Sequence, residues 1–248
     1  MEAWQLGLAF AGSFAAGYLG SMLGLVLGTL RLPLVVVATG SPLAAAGTNV
    51  AISAAAALSG SLRHLRAGRV DWLVVAWLAP PSVVGAVAGA LLAGRVSERL
   101  LYALIAGVLA WSGVDLGLRP ISARPRERLR LVRGGALALL IGLVGGAVGV
   151  ILGTLRMPAL VRGVGLDVRR AAGTNLVVGF LLGVAAFAAH AGGEGVDWAV
   201  LAAGLAGAVP GGWLGAQATG RLSEDALRLA LGAVLCAVAL AFAVQAVA

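Results

Sequence analysis

Two arginines occupy the same short motif in otherwise apolar surroundings. The sequence LGTLRLP fills residues 27–33, and LGTLRMP fills residues 152–158. An arginine stays protonated in a protein, and its insertion near the centre of a bilayer costs at least about 2.5–3.5 kcal/mol. Two guanidinium forks, neighbouring hydroxyls and free amides at a helix start would together suit a small oxyanion, including a dianion. The motif therefore predicts six anion-binding residues: Gly28, Thr29, Arg31, Gly153, Thr154 and Arg156.

A structural alternative exists for both arginines. Each could lie near the membrane surface and extend to a lipid headgroup, or cap the end of a broken helix. Neither role requires the same glycine and threonine before the arginine and the same proline after it in both copies. The repeated motif therefore favours the anion site.

A second repeated motif, AGTN, fills residues 46–49 and 172–175 at the start of an apolar block. The start of a helix has N–H groups without partners inside the helix, and such groups can bind an anion. Capping of that helix is the structural alternative, and it would explain a single copy. Four residues are therefore further candidate ligands: Thr48, Asn49, Thr174 and Asn175.

The composition indicates the solvent in which these motifs must fold. Hydrophobic residues make up 60% of the 248 residues and charged residues only 11%, whereas soluble domains carry about 25% charged residues. Several apolar runs reach the ~20 residues that cross a bilayer as a helix. The sequence thus predicts a multi-pass, all-α membrane protein.

The net charge of +8 raises the question of a nucleic-acid partner. The basic residues lie mostly in a few short loops, as the positive-inside rule predicts for cytoplasmic loops, and no basic domain rich in aromatic residues is present. No nucleic-acid partner is therefore predicted. Cys236 is the single cysteine, which excludes an intramolecular disulfide and a cysteine-based metal site. The sequence predicts no catalytic residue, no metal site and no cofactor.

The second half of the chain repeats the first at an offset of 125–126 residues. VDW recurs at residues 70–72 and 196–198, and GRVSE at residues 94–98 matches GRLSE at residues 220–224. Internal repeats are common in transporters. Each half has four apolar blocks, and the glycine and proline of the arginine motif favour a break in the first one. Each half is therefore predicted to be a broken helical hairpin followed by three transmembrane helices.

Loop charges predict how the halves are oriented. The linker at residues 119–133 carries six arginines and one glutamate, so it is predicted to be cytoplasmic. If each hairpin turns back, the arginine-rich loop at residues 162–170 is also cytoplasmic and the halves are inverted. Eight full spans with parallel repeats are the alternative. The predicted organisation is a first membrane repeat at residues 1–118, the basic linker, and a second membrane repeat at residues 134–248.

Other repeated features have structural interpretations. Asp71 and Asp197 each precede a tryptophan and are predicted to cap a helix. His64 and His190 lack acidic residues at ligand spacing, so neither is predicted to bind a metal or to act in catalysis. Glycine pairs four residues apart are predicted to let helices pack closely: Gly85 with Gly89, and Gly211 with Gly215.

With these motifs, the sequence resembles the sulfite exporter TauE/SafE family, also described as the sulfonate uptake permease family, over nearly the whole chain. Members of the family resemble two related halves with a GxGGGxxxxPxL pattern, an AxGTS-like motif and a later PGxxxGA stretch. The matching segments here are VGVILGTLRMPAL at residues 148–160, AAGTN at residues 171–175 and PGGWLGA at residues 210–216. Two departures occur in both halves: Gly-Thr-x-Arg replaces the glycine run, and asparagine replaces the serine.

The resemblance implies transport of small sulfur-containing anions such as sulfite, sulfonates or sulfoacetate across the cell (inner) membrane. The residues themselves favour alternating access around an arginine-lined site at the interface of the repeats. A transporter or channel for another small anion is the alternative, and a membrane-embedded enzyme is a remote one. The lipid bilayer is the expected partner, while homodimerisation, the direction of transport and a coupling ion stay open.

Overall fold

The computed structural model describes residues 2–23, 26–118, 131–192, 195–217 and 224–247. All of the regular structure in these ranges is helical. The first half contains α1 (Ala3–Leu23), α2 (Gly28–Thr39), α3 (Pro42–Arg66), α4 (Trp72–Ala93) and α5 (Glu98–Leu118). The second half contains α6 (Leu131–Val148), α7 (Gly153–Pro158), a π-helical segment (Ala159–Val164), α8 (Val168–Ala191), α9 (Trp198–Gln217) and α10 (Glu224–Val247). Most of the predicted linker, residues 119–130, lies outside the described residues.

Three helices in these ranges have both the length and the apolar character needed to cross a bilayer: Pro42–Arg66, Trp72–Ala93 and Arg170–Ala191. Four shorter apolar helices accompany them: Gly28–Thr39, Gly134–Val148, Trp198–Leu214 and Leu235–Val247. The outer surface carries large exposed apolar side chains such as Trp72, Trp198 and Leu240. In water these side chains would be unfavourable, but lipid is as apolar as they are. The chain is an all-α, multi-pass membrane protein.

The first helical block of each half is broken, but not at the proline. Pro33 lies within α2, and Pro158 is the last residue of α7. The predicted role of proline as the breaker is therefore wrong for Pro33, whereas Pro158 ends α7 and a π-helical segment follows it. In both halves the arginine lies inside the short helix that follows the break. The reason is visible in the second half, where Gly149 between α6 and α7 has a φ of 72°. A side chain at Gly149 would also overlap the backbone of Ala46, so only glycine allows this turn.

The short helix α2 runs back along α1, the helix that precedes it. Gly12 of α1 faces the side chain of Leu34 in α2, so α1 and α2 form an antiparallel hairpin. Gly40 ends α2 with a φ of 69°, and Ser41 then caps α3 by accepting a hydrogen bond from the backbone N–H of Ala44. A hairpin followed by α3, α4 and α5 is the arrangement predicted for each half.

Helices of one half pack mainly on helices of the other: α1 on α9, α4 on α6, α3 on α8, and α5 on α10. Glycines make the close approach possible. Added side chains at Gly85 and Gly89 would overlap backbone carbonyls of α6, and one at Gly211 would overlap the carbonyl of Phe14. The predicted packing role of these three glycines is confirmed. The surroundings of Gly215 lie outside what the structure describes.

The corresponding helices α3 and α8 run in opposite directions. Gly47, near the start of α3, packs against His190 at the end of α8, and Gly173, near the start of α8, packs against His64 at the end of α3. The packing of α3 on α8 is therefore antiparallel. This is the relation that an inverted repeat produces, because a pseudo-two-fold axis in the membrane plane reverses each helix. The orientation of the halves in a membrane stays a prediction.

Candidate functional site

Arg31 lies in the first turns of α2 with only 1% of its surface exposed. Its Nε donates to Oδ1 of Asn49 at 2.8 Å, and its Nη2 donates to the backbone oxygen of Asn49 at 3.0 Å and to Oγ of Ser53 at 2.6 Å. Hydrogen bonds to a charged group are stronger than neutral ones, and they compensate part of the cost of burial. Arg31 is thus anchored to α3.

Asn49 connects three segments of the protein. Besides accepting from Arg31, its Nδ2 donates to the carbonyl of Gly28 at 3.2 Å and to that of Gly149 at 2.8 Å. Gly28 begins the arginine-bearing helix of the first half, while Gly149 belongs to the broken block of the second half. The absence of a side chain at Gly28 matters, because a Cβ there would overlap Oγ of Ser53. Asparagine, unlike serine, is long enough to accept and donate in this way.

Arg156 repeats the first part of this arrangement in the second half. It is 2% exposed, its Nε donates to Oδ1 of Asn175 at 3.1 Å, and Nδ2 of Asn175 donates to the carbonyl of Gly153 at 3.3 Å. The rest of the guanidinium differs. Both Nη1 and Nη2 of Arg156 are buried, and neither has a hydrogen-bond partner in the structure. Arg156 therefore presents an unpartnered, charged pair of donors inside the protein.

One position of α3 and α8 contributes to the difference between the two arginines. The repeat offset that aligns Asn49 with Asn175 aligns Ser53 with Gly179. A Cβ built on Gly179 would lie 3.5 Å from Nη2 of Arg156, so a serine there would reach the guanidinium as Ser53 does. Sequence reasoning missed this position because it examined the matches between the halves and not the mismatches.

The arginine sites lie midway along the long helices. Ser53 is near the middle of α3, which has 25 residues, and Gly179 is near the middle of α8, which has 24. Helices of this length extend about 36–38 Å, a little more than the apolar core of a bilayer. If α3 and α8 cross a membrane, both guanidinium groups lie close to its midplane.

The threonines of the AGTN motifs contact the opposite half instead of the arginines. Oγ1 of Thr48 accepts from the backbone N–H of Asp197 at 2.9 Å, and Oγ1 of Thr174 accepts from that of Asp71 at 2.9 Å. The two repeated motifs are therefore joined reciprocally across the interface of the halves. Thr29 is buried with no partner for its hydroxyl. Thr154 lies in α7, but its side chain is outside what the structure describes.

The aspartates that receive these threonine contacts also cap helices, as predicted. Oδ1 of Asp71 accepts from the backbone N–H of Val74, and Oδ1 of Asp197 accepts from that of Val200. Asp71 also forms an ion pair with Arg170, with Nη2 and Oδ2 separated by 3.2 Å. These contacts stabilise the ends of α4 and α9 and lie at a distance from the helix centres.

The two histidines are a second match that the sequence interpretation overlooked. The offset of 126 residues aligns His64 with His190. Nε2 of His190 lies 2.9 Å from the carbonyl of Gly146, while Nδ1 of His64 is buried with no partner in the structure. The Cβ atom of each histidine packs against the AGTN glycine of the other half. Within the described ranges, no three His, Cys, Asp or Glu side chains are grouped so as to hold a metal ion.

Known proteins similar to this chain are membrane transporters. A "Probable membrane transporter protein" of Xylella fastidiosa (strain 9a5c) is 28% identical over 235 residues, which cover 92% of this chain and 89% of the relative. "Probable membrane transporter protein YdhB" of Bacillus subtilis (strain 168) is 24% identical over 230 residues, with 90% and 89% coverage. No solved structure matches the chain significantly. The sequence model of the family described as "Sulfite exporter TauE/SafE" matches residues 9–242, so the chain belongs to this family of membrane transporters.

Proposed function

We propose that this protein transports small sulfur-containing oxyanions, such as sulfite, sulfonates or sulfoacetate, by alternating access around the arginine-bearing centre of the molecule. The observation that carries the proposal is the buried guanidinium of Arg156, whose Nη1 and Nη2 have no protein partner. The description of the family as sulfite exporters supports a sulfur oxyanion as the substrate.

The chemistry of the site favours an anion over a neutral solute. A buried arginine without a counter-charge is costly in a medium of low dielectric constant, and an anion that binds it recovers much of that cost. An oxyanion with two or more oxygens on one atom can accept both Nη donors at once. A sulfite or sulfonate group has this geometry.

The architecture supports alternating access between inverted repeats in the inner membrane. The antiparallel packing of α3 on α8 supports a shared interface that the two copies of the arginine motif approach from opposite sides. Movement of one half against the other would then open the centre to each side of the membrane in turn. An inside-negative potential favours anion exit by about 2.3 kcal/mol per charge per 100 mV, so the proposed direction is export.

Flux through the purified protein tests this proposal. Proteoliposomes that contain the protein should take up radiolabelled sulfite in a saturable way, and the sulfite should be recovered chemically unchanged. Arg156→Ala should abolish the flux, and Arg31→Ala should also abolish it because Asn49 then loses its anchor. Arg95→Ala is the matched control, since Arg95 is exposed in the loop between α4 and α5.

Three results would each exclude a part of the proposal. Equal flux in the wild type, Arg31→Ala and Arg156→Ala would exclude the arginine site. Modified sulfite in the product would indicate an enzyme. Flux without counterflow, the transient uphill uptake of labelled anion driven by unlabelled anion on the other side, would indicate a channel instead of a carrier.

A further inference from the structure

The two repeated arginines have the same side chain but differ in which of their guanidinium donors lack a partner. Three hydrogen bonds occupy Nε and Nη2 of Arg31, including the 2.6 Å bond to Ser53. At Arg156 the corresponding Nη2 and the adjacent Nη1 lack partners, although the group is buried. Since buried polar groups are nearly always satisfied, an unsatisfied pair on a charged group needs an explanation.

The absence of a side chain at position 179 removes one of the two acceptors that Nη2 has at Arg31; the other, the backbone oxygen of Asn49, has no counterpart bond at Arg156. A Cβ at Gly179 would lie in van der Waals contact with Nη2 of Arg156, at 3.5 Å. The same Cβ would come within 2.9 Å of Cγ2 of Ile151, so the site is narrow but not blocked by backbone. The end of the Arg156 guanidinium therefore faces α8 where α8 offers no acceptor.

We infer that Arg156 alone, of the two repeated arginines, binds the transported anion through Nη1 and Nη2, and that Gly179 keeps this pair of donors open. Arg31 is a positioning residue: it is bonded to α3 through Asn49 and Ser53 and fixes the first hairpin against that helix. This inference rests on the proposed function and assigns different roles to the two copies of the motif.

The geometry also specifies the class of ligand. Nη1 and Nη2 form the end of the guanidinium fork, which matches two oxygens bonded to the same atom. Sulfite and methanesulfonate present such a pair of oxygens, and chloride does not. Sulfite and methanesulfonate should therefore bind more tightly than chloride, which is attracted by the charge of the guanidinium but does not match its two donors.

A serine at position 179 should close the site without removing any charge. Gly179→Ser would place a hydroxyl beside Nη2, as Ser53 does for Arg31, and the anion would have to displace it. Gly179→Ala is the matched variant, because it adds the same Cβ and the same contact with Ile151 but no hydroxyl. Sulfite affinity of the full-length protein in detergent, measured by isothermal titration calorimetry, should be roughly tenfold to a hundredfold lower in Gly179→Ser than in Gly179→Ala, the factor expected for one hydrogen bond to a charged group.

A second pair of variants keeps the inference testable if Gly179→Ser does not fold. Lysine retains the charge of arginine but not the fork. Arg156→Lys should therefore lower sulfite affinity at least about tenfold more than Arg31→Lys does. Arg31→Lys should instead lower the thermal midpoint, since it loses the bonds to Asn49 and Ser53.

The outcomes separate this inference from the proposed function. If the wild type neither binds nor transports sulfite and methanesulfonate, the proposed function fails. If the wild type binds and transports them, but both members of each pair of variants lose affinity equally, the assignment to Arg156 and Gly179 is overturned while the proposed function stands.

Discussion

Asn49 should be one of the most sensitive polar residues in the protein, because three segments depend on its side chain. Asn49→Ala removes one hydrogen bond to a guanidinium, worth about 1.5–3 kcal/mol, and two amide-to-carbonyl bonds, worth about 0.5–1.5 kcal/mol each. The bonds lost are those to Arg31, Gly28 and Gly149. The free energy of unfolding should fall by about 2.5–6 kcal/mol, which is a large share of the stability of a typical protein.

The assay is unfolding by SDS in mixed micelles, followed by far-UV circular dichroism. Ser61→Ala is the control: Ser61 is as deeply buried, but its hydroxyl bonds only the local carbonyl of Leu58 among the contacts described, so its loss should cost less than about 1.5 kcal/mol. Arg31→Met combined with Asn49→Leu should be at least about 1.5 kcal/mol more stable than the two single changes predict, because the pair is then replaced by apolar groups. Strict additivity, or an Asn49→Ala protein as stable as Ser61→Ala, would refute the reasoning.

Three further predictions concern the interface of the halves. Thr48→Val and Thr174→Val should each lower the free energy of unfolding by about 1–3 kcal/mol in the same SDS assay, because the buried N–H of Asp197 or Asp71 loses its acceptor; no loss in either would show that water replaces the hydroxyl. Gly173→Ala should strongly reduce the yield of folded protein, since a Cβ would overlap the carbonyl of Arg69, while Gly107→Ala in α5, with open space around it, should leave the yield unchanged; equal yields would contradict the close packing. The last prediction tests the orientation in which residues 119–133 and 162–170 are cytoplasmic. In a Cys236→Ser background, Gly192→Cys should react with a membrane-impermeant thiol reagent in intact cells, and Ala67→Cys should react only after lysis. Labelling of both in intact cells would exclude this orientation.

The sequence allowed the helical class, the repeat and the hairpins to be predicted because each depends on local or periodic information. Hydropathy gave the apolar blocks, and the repeated register gave the two halves. The place of the break was not predictable from Pro33, because this proline lies inside α2 and does not end a helix. In the second half the break is at Gly149, which has a left-handed backbone and whose contact with Ala46 brings the two halves together.

The candidate site also has a part that was predictable from the sequence and a part that was not. Arg31 and Asn49, and likewise Arg156 and Asn175, were separate candidates in the sequence, but in the structure each pair is directly hydrogen-bonded. The two departures from the family pattern are therefore one change, an arginine together with the amide that holds it. Residues Thr48 and Thr174 were candidates because they belong to the AGTN motif at a predicted helix start, yet a helix directs neighbouring side chains to different faces. Their hydroxyls consequently reach the opposite half of the protein.

The Ser53 and Gly179 difference implies a trade-off between stability and anion binding. Two open arginines would leave two buried charges uncompensated, and two closed ones would leave no donor for a substrate. With one open and one closed arginine, only the arginine that binds the anion carries an uncompensated buried charge, and the bound anion then compensates it. Gly179→Ser should then be more stable than Gly179→Ala in anion-free detergent by up to about 3 kcal/mol, because its hydroxyl satisfies Nη2. Sulfite at a hundred times its dissociation constant for Gly179→Ala should raise the free energy of unfolding of that variant by about 2.7 kcal/mol. The same sulfite concentration should raise that of Gly179→Ser by much less. A Gly179→Ser protein that gains stability without losing this response to sulfite would show that the anion does not bind at Nη2.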